Sequence, residues 1–226
     1  MTAHGSEEIA VTALKRGAAS YVPKTALNHD LVPTVFNVLA VSRGELTYER
    51  MMAGLQESQW NFTLGNDYRL IAPLVQLTRR TMTEMGVDDD AGRIQVSVAL
   101  EEALLTAIYQ GNLELTPQQL ASAGYDLQDS EARNLVEQRR SQSPYRDRSI
   151  QLNISLLRSE IRCMIRCEGP GFDPGPPPQP SDVLARAGQG HRGRVHMRLF
   201  MDEVAYDIES QRIVLVKRFG QAGCGG

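Results

Sequence analysis

Cysteine is scarce, with three residues (Cys163, Cys167 and Cys224) in a chain of 226. Two of them are in one apparent strand and the third is in a Gly-rich tail, which excludes a disulfide scaffold. The histidines His4, His29, His191 and His196 are not spaced with those cysteines to complete a tetrahedral zinc site. No apolar run approaches the roughly 18–20 residues that a membrane span needs. Neither sign of charge dominates: 24 Lys and Arg stand against 27 Asp and Glu, for a net charge of −3. That balance gives no electrostatic case for nucleic acid or an anionic membrane. The opening MTAHGSEEIAV carries acids where a secretory leader has a basic region and a long apolar core. The expected location is therefore the cytoplasm.

What is present matches an ordinary soluble chain, with 42% hydrophobic and 23% charged residues. The length allows one domain or two small ones, and there is no internal repeat. Residues 5–16 carry a helical stripe of Ile9, Ala10, Ala13 and Leu14, ended by Gly17. Ser20-Tyr21-Val22 reads as a short strand stopped by Pro23. Residues 28–50 read as a helix with Leu31, Val35, Val38 and Leu39 on one side, Pro33 being tolerable only in its first turns. Gln59–Leu64 alternates as a strand. Asn66 and Asp67 are candidate N-caps for a helix carrying Leu70, Ile71, Leu74, Val75 and Leu77. A further helix is expected over 93–112, with Val96, Ala99, Leu100, Ala103, Leu104, Ala107 and Ile108 inside, and a polar one over 129–140.

Two alternating strands follow, one through Ile150, Leu152, Ile154 and Leu156, the other through Ile161, Cys163, Ile165 and Cys167, with a turn at 158–160. Six of the 11 prolines then fall within 170–180, a density that forbids helix or central strand and predicts an irregular loop. A short helix over 192–202 and a strand pair, 203–206 with 212–217, close the pattern. The GQAGCGG ending reads as a disordered tail.

Two stretches resemble known families. MTAHGSEEIAVTALKRGAASYVPK resembles the last third of a response-regulator receiver domain, in which a switch Thr, a switch aromatic and a Lys surround a phosphoaspartate. Thr2, Tyr21 and Lys24 occupy those places. The strands that would bear the acidic pair and the phosphoacceptor do not precede them, so the resemblance implies a receiver fragment that is not phosphorylated in the family's way. An unrelated helix–strand–helix is the other reading of these residues.

ALEEALLTAIYQGNLEL, IRCEGPGFDP and HRGRVHMRLFMDEV together resemble the ATP-binding fold shared by histidine kinases, gyrase-type ATPases and anti-sigma-factor serine kinases, most closely the last. The resemblance implies an α/β architecture: a partial receiver at 1–43, a linker helix at 44–57, and at 58–219 a two-layer α/β sandwich with a mixed sheet and helices on one face. Residues 220–226 are the expected disordered tail.

It also implies roles. Glu102 takes the place of the family's general base, and Thr106 that of an Asn that binds Mg²⁺; read alone, Glu102 is a solvated helix residue. Cys167 stands where an Asp accepts the adenine amino proton, and a thiol is a weak acceptor. Glu168 is the obvious substitute, but its side of the strand is the opposite one. Gly169 and Gly171 allow close backbone approach to a ligand, as they would in any turn. In the last block His191 replaces a glycine of the phosphate loop, Gly193 matches, and Arg194 and His196 replace aliphatic residues. Arg192 and Arg194 either attract phosphate as charges or form a solvated basic patch.

The scaffold positions match while three ligand positions depart at once, at Thr106, Cys167 and His191. The expected function is a signal-transduction regulator with an ATP-binding-type output domain, weak or inactive as a kinase. It would act on a protein partner such as a sigma factor, an anti-anti-sigma protein or another phosphorelay component. Binding of ATP and Mg²⁺ would be weakened or lost, and the family's habit implies a homodimer. The competing reading is an active ATP-dependent serine/threonine kinase using Glu102 and Mg²⁺. A sensor histidine kinase ranks last, because His29 in NHDLV lacks the surroundings of a dimerisation helix.

Overall fold

The alternation read from residues 150–167 is realised as two paired strands at the centre of a five-stranded sheet. The computed structural model describes residues 7–116, 119–120, 130–170 and 192–220. The chain divides into two units between Gly54 and Leu55, and each is described by itself.

In the first unit, helix α1 (Glu7–Lys15) ends at Gly17, whose φ of 94° suits a residue without a Cβ. The amides of Gly17 and Ala18 donate back to Leu14 and Ala13 and close the helix end. Helix α2 (Leu27–Ala53) follows a 3-10 turn at Lys24–Ala26. It is continuous through the expected 43/44 boundary, and Pro33 sits in its second turn. The strand expected at Ser20–Val22 does not form. A strand needs a ladder partner, and every strand among the described residues belongs to the second unit. The apolar side of α2 stays largely exposed: Leu31, Val35 and Leu39 are all more than 40% accessible.

The second unit is built on the sheet β1 (Glu57–Leu64), β2 (Ile150–Leu157), β3 (Glu160–Cys167), β4 (Glu203–Asp207) and β5 (Arg212–Arg218). Its spatial order is β1-β2-β3-β5-β4. Every neighbouring pair is antiparallel, so the expected mixed sheet is corrected to a wholly antiparallel one. The reason is the connections: β2–β3 and β4–β5 are hairpins, and the second hairpin docks on β3 through β5.

Helices α3 (Ile71–Glu84), α4 (Asp90–Thr106) and α6 (Arg192–Phe200) belong to this unit, with α4 packed against α3, α6, β3 and β5. Helix α5 (Ser130–Ser141) adds Val136 to the core. One face of the sheet is buried, through Ile150, Leu152, Ile154 and Leu156 on β2 and Ile161, Cys163 and Ile165 on β3. Each fully buried aliphatic side chain contributes about 1.5–3 kcal/mol, so this face and the α4 stripe Val96, Ala99, Leu100, Ala103 and Leu104 hold the unit together.

Three local readings are refined. Asp67, not Asn66, caps the 3-10 turn before α3 by accepting from the Arg69 amide. The buried side of α3 is Ile71, Leu74, Thr78, Thr81 and Met82, while Leu70 and Leu77 are exposed. Thr78 and Thr81 tolerate burial because their hydroxyls donate to Leu74 and Leu77 carbonyls. The helix expected over 93–112 starts at Asp90, capped by Asp89, and its last six residues, Ala107–Asn112, are π-helical. The proline-rich segment from residue 171 and the tail from residue 221 lie outside the described residues.

Candidate functional site

Helix α4 carries Glu102 on its buried side, only 8% exposed. Its Oε1 lies 3.2 Å from Nδ1 of His196 on α6, and among the described residues its buried Oε2 has no hydrogen-bond partner. The His196 ring stacks on Phe200 one turn further along α6, at 5.5 Å between centroids. In the sequence His196 stands out only as a replaced aliphatic residue; its contact with Glu102 spans 94 positions and leaves no local signal. Thr106, also buried, donates its hydroxyl to the Glu102 carbonyl at 2.8 Å. The hydroxyl proton is thus bound within the helix, leaving only the oxygen's two lone pairs as acceptors.

Beyond Thr106 the wider π turn, closed by the Leu113 amide on Ile108 at 2.8 Å, presents Gly111 and Asn112 to the end of β3. Asn112 is fully buried and uses its whole amide. Nδ2 donates to Asn66 Oδ1 at 2.8 Å and to the Ser149 carbonyl at 3.0 Å. Oδ1 accepts from the amides of Glu168 and Gly169, both at 3.0 Å. Asn66 in turn donates to the Tyr145 carbonyl at 2.7 Å, and Arg148 donates to the Asn112 carbonyl at 2.6 Å while pairing with Glu114. In the sequence Asn66 reads only as a candidate N-cap and Gly111-Asn112 as an ordinary helix end, so nothing local announces this network.

The residues singled out around the Gly-rich turn are therefore drawn together, but against the protein itself. Cys167 is buried, its Sγ 3.8 Å from the Gln211 carbonyl, and burial pushes its thiol above the ordinary range. Gly169 is so close to the π turn that a Cβ there would meet the Gly111 carbonyl oxygen at 2.0 Å. A Cβ on Gly111 would meet Cys167 Sγ at 2.7 Å. Glu168 is exposed and accepts from the Ser149 amide at 2.6 Å through Oε2, which pins it to the start of β2. Arg192 and Gly193 open α6; Gly171 lies outside the described residues.

In the first unit, Tyr21 lines an apolar groove with Val22, Leu31, Val35 and Leu39, and Lys24 begins the 3-10 turn before α2. Thr2 lies outside the described residues.

The oxygen ligands on offer are few and buried: the Glu102 carboxylate, with Oε1 against His196, and the Thr106 hydroxyl oxygen. Among the described residues no group of three or more His, Cys, Asp and Glu side chains converges as a metal site. The two amides of the Gly-rich turn already have a side-chain acceptor, so they are not free to hold an anion. This arrangement fits a tightly held Mg²⁺–nucleotide poorly. No protein-family model matches the chain, and no curated protein matches it significantly.

Proposed function

We propose that the chain is a signalling adaptor: its second unit has the architecture of a histidine-kinase-like ATPase whose nucleotide site has closed, and it acts by binding a protein partner. The partner would be a sigma factor, an anti-anti-sigma protein or another phosphorelay component, met in the cytoplasm. The first unit would be a receiver-derived segment passing its state to the second through α2. One observation carries this reading. The amides of Glu168 and Gly169 are bonded to the buried Asn112, and Gly169 rests on the Gly111 backbone. A nucleotide base or phosphate entering there would have to break both contacts and strip the acceptor from the buried Gly169 amide and the part-buried Glu168 amide.

The test is nucleotide binding. A working site stabilises the folded state by RT ln(1 + L/Kd) at free ligand concentration L, about 2.7 kcal/mol at a hundredfold excess over Kd, and raises the melting temperature accordingly. The expected result is no shift with millimolar ATP and Mg²⁺; micromolar, cation-dependent binding by calorimetry would overturn the adaptor reading.

A second reading is favoured by one specific feature. The buried Oε2 of Glu102, without a hydrogen-bond partner among the described residues, is the kind of group that an active serine/threonine kinase of the anti-sigma type would keep as its base. Phosphoryl transfer from radiolabelled ATP to a serine-bearing protein, abolished by Glu102→Ala, would establish that reading. Under the adaptor reading Glu102→Ala leaves partner binding unchanged.

A further inference from the structure

The face of the sheet opposite the helices of its own unit carries three exposed arginines. Strand alternation places Thr63, Gln151, Arg166, Arg212 and Asp207 in one cross-strand row, because each is the register partner of the next. Arg166 thus lies directly opposite Arg212, and Arg162 shares their face two residues along β3. All three arginines are exposed, and among the described residues their guanidinium groups make no hydrogen bond or ion pair.

Like charges directly opposite on neighbouring strands destabilise a sheet, and acids stand close enough to have relieved them. Asp207 attracts Arg212 across β4–β5, but the hydrogen bonds of these acids go elsewhere. Asp207 accepts from the Ser210 amide at 3.1 Å and from the Ser210 hydroxyl. Glu160 and Glu203 both pair with Arg218 at the far end of the face. A cationic cluster kept in this way against its own repulsion is complementary to an anionic partner.

The rest of the face narrows the partner's chemistry. Beside the arginines stand amide side chains, with Asn153 donating to Asn61 across β1–β2 and Gln151 exposed. Such groups suit the main chain of an extended peptide. The aromatic side chains of these strands, Trp60, Phe62 and Tyr206, pack on the core side instead, so no platform for stacking nucleobases exists here.

We propose that this open sheet face docks an acidic segment of a partner protein, with Arg162, Arg166 and Arg212 pairing to its carboxylates. The proposal rests on the adaptor reading and gives its partner a chemistry. A fluorescein-labelled oligoglutamate peptide, titrated with the full chain and followed by anisotropy, tests it against oligolysine and oligothymidylate of equal length. Oligoglutamate is expected to bind, to weaken as salt rises, and to weaken at least about tenfold on Arg162→Ser/Arg166→Ser/Arg212→Ser. The triple variant should melt no lower than the parent, since it loses a repulsion, and Arg79→Ser on α3 should bind as the parent does. Absent binding, equal binding by the triple variant, or preference for oligothymidylate would overturn the proposal. Nucleotide is absent from this titration, so a functional ATP site would refute the adaptor reading while leaving the peptide result to stand or fall alone.

Discussion

At the residue scale, small side chains and buried polar atoms decide what the site can admit. Gly169 is required by contact, since its Cβ would overlap the Gly111 carbonyl oxygen at 2.0 Å. Gly169→Ala is expected to destabilise the fold by about 3 kcal/mol, the upper range for overpacking, because the obstacle is backbone and cannot rotate away. A urea denaturation midpoint equal to the parent's would contradict this.

The thiols give a second prediction. Burial pushes the Cys163 thiol up to about 12 from its ordinary 9.0, and that of Cys167 upward as well. The folded state therefore holds protons that the unfolded chain has released above pH 9.0. The resulting stability is complete below that pH and is lost as pH rises through the window to about 12. Iodoacetamide at mildly alkaline pH should leave Cys163 unmodified in the native protein and modify it in urea, as read by peptide mass.

At the scale of elements, the π turn after α4 ties that helix to the sheet. Asn112 joins four backbone or side-chain groups from three separate stretches of chain. Asn112→Ala orphans them together, and a cost of about 3 kcal/mol or more is expected from the loss of a buried network. Asn112→Asp keeps the acceptor for Glu168 and Gly169 but faces Asn66 Oδ1 and the Ser149 carbonyl with oxygen, so its melting temperature should fall between those of the parent and the Ala variant. At the other end of α4, Asp89 accepts from the Gly92 amide at 2.8 Å. Asp89→Ala should cost about 1 kcal/mol, the usual value of an N-cap, measurable as a parallel shift of the denaturation curve.

At the scale of the whole molecule, the buried hydrophobic cluster among the described residues is drawn from positions after Leu55. A chain beginning at Leu55 is therefore expected to unfold in one cooperative transition with the midpoint of the second unit in the full protein. Loss of cooperativity in that fragment, seen as diverging near- and far-ultraviolet circular dichroism curves, would show that residues before Leu55 complete the core. The first unit has α2 as its longest element and leaves large apolar side chains such as Val32, Phe36 and Val41 exposed. Among the described residues no helix is long and apolar enough to cross a membrane.

Local period was legible without any structure. The alternation through Ile150–Leu156 and Ile161–Cys167 determined two strands and which side of each is buried, because neighbouring strand residues must face opposite ways. The stripe from Val96 to Ile108 determined a buried helix, and Gly17 the end of α1. Three features depended on partners far away in the chain and had no local trace. One was the antiparallel order of the sheet, set by how two hairpins dock. Another was the failure of Ser20–Val22 to become a strand without a neighbour. The third was the site itself, where Glu102 meets His196 and Asn112 holds the Gly-rich turn. Sequence supplied the side chains; tertiary packing chose which of them are engaged, since a hydrogen bond spanning 57 positions between Gly169 and Asn112 exists only once sheet and helix have met.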